Sequence, residues 1–278
     1  PASLGEGTNW QDAMFQSAPM ANHSVLYTNG TETSSIAMGA SHFSQDGIIG
    51  GEKGRFERTT FRVNSEQQAG DRVKVGQNVT FTNIKRNALA ENNEFATPVL
   101  RALNIDPVTP VRRADETFAY TDYIDSDIVN PINQIEQTHD NWTTNRFVGN
   151  VFGEMDLTPN LKFRSSVNVD LALGSQKIFF PTFDLALYEG DPNRPATEFR
   201  EVNSIIRAEN KWSTWQWENT LTYTKEFENE DKLQVIAGYS ALESNSSSIT
   251  ASRDSLATND PTYAFLSNSL NVAPQIPR

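Results

Sequence analysis

Hydrophobic and polar residues alternate along four segments of the chain, 72–82, 161–171, 214–224 and 233–241. The second segment is the clearest example. One side of it carries Leu161, Phe163, Val167, Val169 and Leu171, and the other carries Lys162, Arg164, Ser166, Asn168 and Asp170. Side chains of a β-strand point alternately to the two faces of its sheet. The pattern therefore predicts β-strands with one apolar face and one polar face.

Weaker alternation extends this prediction to roughly eight strands. The predicted strands are 22–29, 33–43, 57–66, 72–84, 144–157, 161–172, 212–226 and 232–244. Most are longer than the ~5–6 residues that are usual for strands of soluble domains. They match the ~9–11 residues with which a tilted strand crosses the hydrocarbon layer of a membrane.

The connections between these strands alternate between short and long. Short links are predicted at 29–32, 67–71, 158–160 and 227–231, and long ones at 44–56, 85–143, 173–211 and after Ser244. Outer-membrane β-barrels have short periplasmic turns and longer extracellular loops. The alternation therefore favours an all-β fold, an antiparallel transmembrane β-barrel, with the long loops 85–143 and 173–211 outside the cell. A soluble β-sandwich, such as a secreted β-rich adhesin, would explain the strand pattern but not the order of the loops.

Composition removes several other classes of protein. The 278 residues carry a net charge of −12, contain no cysteine and have a mean hydropathy of −0.53. The acidic balance argues against nucleic-acid binding, which depends on Lys and Arg. No run approaches the ~18 apolar residues of a membrane-spanning helix. The first residues, Pro1 to Gly5, lack the features of a signal peptide. Either a signal was removed or the chain begins partway through a larger protein, and we favour the second interpretation.

A set of short segments along residues 8–252 carries a further signal. The segments are Thr8–Phe15 with Ala21–Ser24, Ala40–Ile49, Arg58–Asn64, Asn130–Ile135, Leu161–Ser166, Trp217–Tyr223 and Val235–Tyr239. They resemble, in the same order, segments of the SusC/RagA family of TonB-linked outer-membrane proteins. No single segment is specific for the family, but the ordered set is.

The resemblance implies a 22-stranded barrel with an N-terminal plug inside it. It also implies TonB-dependent import of glycan or peptide fragments across the outer membrane, together with a SusD-like surface lipoprotein. The expected contacts are therefore outer-membrane lipid, this lipoprotein, TonB through the missing N-terminal part, and an oligosaccharide or peptide substrate. A passive porin-like barrel is the alternative transport function.

The chain departs from the family pattern because it contains no plug and only about eight of the expected strands. The first strand leads into a short turn, so we expect at least one strand upstream of it. Taken out of a wide barrel, these strands should form an open, curved antiparallel sheet with long loops at one rim, because eight strands closed on themselves leave no room for charged inward side chains. The inward set would include Lys162, Arg164, Asp170, Glu154, Asp156 and Glu218.

No catalytic, cofactor-binding or metal motif is present in the sequence, so we do not expect an enzyme. His23, His42 and His139 are far apart in the sequence, lack the paired spacing of metal ligands and are expected to be solvated or pore-lining. Residues 47–54 are rich in glycine but lie between two strands, and we interpret them as a loop. The acidic segment 115–140 is expected to be a solvated loop, although a Ca²⁺ site is the alternative. It contains Asp115, Glu116, Asp122, Asp125, Asp127, Glu136 and Asp140.

Aromatic residues suggest two further roles. Trp212, Trp215, Trp217 and Tyr223 could form a sugar-stacking surface or part of the aromatic girdle at a membrane interface. Because the last three share a face with Leu221, we favour the girdle. The substrate-binding residues cannot be chosen from sequence, and loop aromatics such as Phe118, Tyr120, Tyr123 and Tyr188 remain candidates.

Overall fold

The computed structural model describes residues 6–89, 97–120, 129–185, 199–228 and 230–271. Its main feature is an eight-stranded antiparallel sheet in which every strand pairs with the next long strand along the chain. The strands are β1 (Met20–Gly30), β2 (Ser34–Gly47), β3 (Gly51–Ala69), β4 (Val73–Asn87), β5 (His139–Thr158), β6 (Leu161–Phe180), β9 (Ser204–Glu226) and β10 (Lys232–Asp254). Two short strands, β7 (Phe183–Asp184) and β8 (Phe199–Arg200), pair with each other as a separate antiparallel ribbon.

The sheet is open. Among the described residues, β1 pairs only with β2 and β10 pairs only with β9. All eleven residues of β1 are exposed, and nearly all of β10 is exposed as well. The predicted open antiparallel sheet of about eight strands is therefore confirmed.

The strands are longer than the alternation pattern predicts. β5 and β6 each contain 20 residues, and β9 and β10 each contain 23. The predicted loops 85–143 and 173–211 are therefore too long, because their ends belong to strands. The polar stretch after Ser244 also continues as β10 and stays paired with β9 down to Asp254. Backbone pairing continues there although the side chains no longer alternate in polarity.

The predicted dozen-residue loop at 44–56 is also wrong. β2 and β3 continue into it and leave only residues 48–50 as a turn, with a register shift between Gln45 and Gly47. Gly50 and Gly51 have φ values of 69° and 51°. Glycine adopts this left-handed conformation without steric cost, which explains how a tight turn replaces the loop.

The two ends of the sheet differ. We call the end with the two-to-five-residue turns 31–33, 70–72, 159–160 and 227–231 the turn rim. The opposite end, the loop rim, holds the connections from β4 to β5 and from β6 to β9, the turn 48–50, and the segments before β1 and after β10. Three short α-helices lie at the loop rim: α1 (Trp10–Met14), α2 (Pro98–Asn104) and α3 (Pro131–Glu136).

A small hydrophobic core holds these helices together. Its buried members are Trp10, Met14, Ala102, Ile105 and Ile135. The indole Nε1 of Trp10 donates a hydrogen bond of 2.9 Å to the carbonyl oxygen of Asp106. The core therefore ties the segment before β1 to the connection between β4 and β5. No helix in the described part of the chain is long and apolar enough to cross a membrane.

The caps of α2 and α3 follow from local sequence. Thr97 and Asn130 occupy the N-cap positions, and a proline follows each of them at the first helical position. Asn130 is fully buried; its side-chain oxygen accepts hydrogen bonds from the backbone of Ile132 and Asn133. Its Nδ2 donates to the carbonyl oxygens of Val111 and Ala119, both at 2.9 Å. One side chain thus fixes the start of α3 and joins it to two other parts of the loop rim.

Candidate functional site

The two faces of the sheet have different chemistry. In β3, β4, β5, β6 and β9 the pairing register places even-numbered residues beside even-numbered ones, apart from the irregular ends of β3 and β5. We call the face that carries the even positions of these strands the polar face, and the opposite one the apolar face. Polar side chains of neighbouring strands therefore lie beside each other on one face of the sheet, and apolar side chains lie beside each other on the opposite face.

The apolar face presents large hydrophobic side chains to the surroundings. Exposed members include Phe147, Val151, Phe163, Val167, Val169, Trp215, Trp217, Leu221 and Tyr223. On β6 they extend from Leu161 to Leu173, which is roughly 40 Å along the strand at ~3.3 Å per residue. A strand tilt of ~40° reduces this to about 30 Å, close to the height of the apolar band of membrane barrels.

The polar face carries a chain of hydrogen-bonded side chains that crosses four strands. Asn78 on β4 donates to Asn150 on β5 at 3.4 Å, Asn150 donates to Asn168 on β6 at 2.6 Å, and Asn168 donates to Glu218 on β9 at 3.2 Å. Gln216 also donates to Glu218, at 3.0 Å. These bonds run parallel to the backbone ladder and hold long polar side chains in place on the face.

Ion pairs occupy the polar face on both sides of this chain. Arg146 makes two bonds to Asp170, with nitrogen–oxygen distances of 2.9 and 2.5 Å. Arg164 lies 2.6 Å and Lys162 lies 3.5 Å from Glu154. Most members of these pairs are partly exposed, so each pair adds little to stability. Together they form a charged wall that suits water and polar solutes.

A pocket of about 520 Å³ lies at the loop rim between α3, β5, β6 and the β7–β8 ribbon. The guanidinium of Arg200 lies 5.0 Å from the ring centre of Phe180 and 5.5 Å from that of Phe183. Partial burial against these rings lowers the pKa of Arg200. The pocket combines aromatic surface with a cation, which is a suitable lining for a polar ligand.

The three histidines do not form a metal site. His23 and His42, which are distant in the sequence, are cross-strand partners in β1 and β2. The Nδ1 atom of His42 lies 2.9 Å from the hydroxyl of Thr59, and that of His139 lies 3.1 Å from Nζ of Lys53. Within the described ranges no three His, Asp or Glu side chains are grouped as metal ligands.

Two described carboxylates of the acidic segment 115–140 have separate partners. Hydrogen bonds from the hydroxyl and backbone N–H of Thr117 lower the pKa of Asp115. Asp140 belongs to β5 and accepts a bond of 2.9 Å from Gln176. Asp122, Asp125 and Asp127 lie outside the described residues. The described part of the segment therefore contains no gathered set of carboxylates.

The structure separates the aromatic residues that the sequence grouped together. Trp215, Trp217 and Tyr223 lie on the apolar face, as predicted, and Trp217 packs edge-on against Tyr239 at 6.5 Å. Trp212 lies at an even position, so it is on the polar face and cannot belong to the same girdle. Its parity in the sequence was the signal that could have shown this.

Two of the candidate loop aromatics are described. The guanidinium of Arg112 lies 4.0 Å from the ring centre of Phe118, and that of Arg113 lies 6.0 Å from that of Tyr120. Both rings are therefore engaged with cations of the same loop. Tyr123 and Tyr188 lie outside the described residues.

Comparisons with known proteins find similar proteins both by sequence and by fold. No protein-family model matches the chain. It is 26% identical over 200 residues to the TonB-dependent receptor SusC of Bacteroides thetaiotaomicron, a match that covers 63% of this chain and 19% of SusC. Its fold is similar to structures of the RagAB peptide importer in the closed-closed and open-open states, with TM-scores of 0.75 and 0.77 at 15% identity.

The structural matches cover 96% of this chain and 28–29% of the longer chains. The chain thus spans about a fifth of the curated relative and less than a third of the solved structures. The relatives are described as a receptor and an importer, and neither is described as an enzyme. In sequence and in fold, this chain is similar to one segment of the SusC/RagA-like TonB-dependent transporters.

Proposed function

We propose that this sheet forms part of the wall of an outer-membrane barrel that imports nutrients. The observation that carries the proposal is the contrast between the two faces of strands long enough to cross a membrane. Val151, Val167 and Trp217 are 44–59% exposed on one face, which water would not favour and lipid would cover. The opposite face is charged and hydrogen-bonded, as the wall of an aqueous lumen must be.

The two rims of the sheet support one orientation in the membrane. In outer-membrane barrels the short turns face the periplasm and the long loops face outwards. The turn rim is therefore placed in the periplasm and the loop rim outside the cell. On this assignment the hydrophobic core around Trp10 and Ile135 forms an ordered extracellular structure above the lumen.

Transport in this proposal requires binding and gating but no bond chemistry. Energy comes from TonB, which acts through parts of the whole protein other than this sheet. A SusD-like surface lipoprotein contacts the loop rim and delivers a glycan or peptide fragment. The similarity to SusC and to the RagAB importer supports these assignments.

The proposal can be tested with the full-length protein in its own host. We expect it to remain with outer membranes after salt washing and to be released only by detergent. Deleting its gene should abolish growth on one class of glycan or peptide while growth on monosaccharides continues. A tagged protein should also co-purify with a surface lipoprotein. Release into the soluble fraction without detergent would contradict the proposal.

A further inference from the structure

A trough of about 580 Å³ crosses the polar face from β3 to β9. Arg58 and Thr60 line one end, Trp212 and Thr214 line the other, and the ion pair of Arg146 with Asp170 lies between them. Neighbouring strands are ~4.8 Å apart, so the four steps from β3 to β9 span roughly 19 Å. The trough can therefore hold an extended ligand that lies across the strands.

The end at Trp212 offers a flat apolar surface. Its cross-strand partner on β6 is Ala172, and the next position on this face of β6 is Gly174. A Cβ added at Gly174 would lie 3.2 Å from Cζ3 of the indole, so the ring packs against the backbone there. Small residues in a strand often mark such a close approach. The tryptophan nevertheless remains 45% exposed.

The other end of the trough carries an excess of positive charge. Arg58 contacts the ring of Phe43, 6.0 Å from its centre, and has no ion pair with an acidic residue of the described part of the chain. Arg146 is already neutralised by Asp170. Elsewhere on the polar face Lys74 and Arg164 are paired with glutamates. In a chain with a net charge of −12, Arg58 is thus a cation available to an anionic ligand.

We propose that the trough binds an acidic oligosaccharide, with one sugar ring stacked on Trp212 and an acidic group held by Arg58. This inference rests on the proposed transport function. A sugar ring has a face of C–H groups that can pack on an aromatic surface, and hydroxyls at its edge that need polar partners. The hydroxyls of Thr60 and Thr214 line the trough and can provide such partners.

A peptide would fit the trough less well. A peptide that binds by strand addition forms main-chain hydrogen bonds, which require an exposed strand edge. The floor of the trough lies inside the sheet, where the backbone groups of β4, β5 and β6 are paired on both sides. Only side chains can contact the ligand there.

The test is calorimetry on the detergent-purified full-length protein. The probes are tetragalacturonate and a sulfated tetrasaccharide as acidic ligands, maltotetraose as a neutral one, and a hexapeptide rich in glutamate. We expect at least one acidic oligosaccharide to bind better than the other two classes. Trp212→Ala should weaken this binding by roughly 2–10-fold, and Trp212→Phe should restore most of it.

Two further variants separate stacking from charge. Arg58→Gln should weaken binding of the acidic oligosaccharide by about tenfold or more, since hydrogen bonds to charged groups are worth ~1.5–3 kcal/mol. Trp215→Ala, on the apolar face, is the matched control and should leave binding unchanged. Heat-modifiable gel mobility should be the same for all variants.

Three outcomes would overturn the inference: no binding of either acidic probe, a preference for the neutral sugar or the peptide, or binding that is indifferent to both Trp212→Ala and Arg58→Gln. None of these affects the proposed function if the protein still fractionates with the outer membrane and supports growth on a nutrient. Failure of fractionation and growth would instead remove the transport proposal itself.

Discussion

A pair of valine substitutions on one strand tests the assignment of the two faces. Val151 lies on the apolar face of β5, near the middle of its apolar side chains, and its cross-strand partners are Gln77 and Val167. Val148 lies on the polar face three residues away, and its partners are Thr80 and Asp170. Replacing either valine by arginine makes the same chemical change on opposite sides of the sheet.

The expected energies differ by a large margin. Arginine at the lipid-facing midplane of a membrane barrel costs about 2–4 kcal/mol. Val151 is 59% exposed, so its replacement would face lipid without a carboxylate among its cross-strand partners. At Val148, which is 40% exposed, arginine would face water beside Asp170. We therefore expect Val151→Arg to shift the folding equilibrium by roughly 30–900-fold and Val148→Arg to shift it little.

The measurement is reversible unfolding of the full-length barrel in lipid vesicles by guanidinium chloride, followed by gel mobility without heating. Val151→Arg should lower the transition midpoint, and Val148→Arg should stay close to the unsubstituted protein. Equal destabilisation by the two variants, or a larger effect at Val148, would refute the assignment of the faces. The slope of the transition should be unchanged if both proteins unfold from the same barrel.

Three further predictions concern other parts of the sheet. Leu221→Arg should impair assembly more than Thr222→Arg does. The effect should be smaller than that of a midplane substitution, because Leu221 lies close to the turn rim. Equal effects of the two variants in an assembly assay would contradict the register of β9. Because the chain has no cysteine, single cysteines at Glu116 and Glu32 should report the two rims, and only the first should react with a large maleimide on intact cells. Asn130→Ala removes four hydrogen bonds and should increase proteolysis of the loop rim in intact cells by about tenfold or more. Unchanged cleavage would mean that this side chain does not hold the loop.

The central parts of the strands could be predicted because the two faces meet different surroundings there. In β6 every second residue from Leu161 to Leu173 except Ser165 is apolar, and this produces a clear period of two. Towards the loop rim the same face carries Asn141, Thr143 and Asn145 on β5. At this height that face is polar, and the opposite face carries Trp142 and Ala172 among its polar residues, so the alternation disappears although the backbone remains paired. The pattern therefore reports the apolar band and not the full strand.

The loop rim could be predicted only in part. Asn130 followed by proline, and Thr97 followed by proline, are local signals for helix starts and could have revealed α2 and α3. The core that joins these helices to α1 could not be found in this way. The hydrogen bond from Trp10 to Asp106 connects residues 96 positions apart, and no local pattern carries that information.

The open edges of the sheet set a condition for its stability in a membrane. About ten residues of an edge strand cross the hydrocarbon layer, and roughly half of them direct both N–H and C=O away from the neighbouring strand. Each of the two edges, β1 and β10, therefore exposes about ten unpaired groups. At several kcal/mol per group in hydrocarbon, the cost is tens of kcal/mol, far above the 5–15 kcal/mol that stabilises typical folded domains. Pairing β1 directly with β10 would enclose the charged side chains of the polar face in a barrel only wide enough for side chains to fill. In lipid the sheet therefore needs further strands on both edges, and its charged polar face then forms one sector of a wider closed wall.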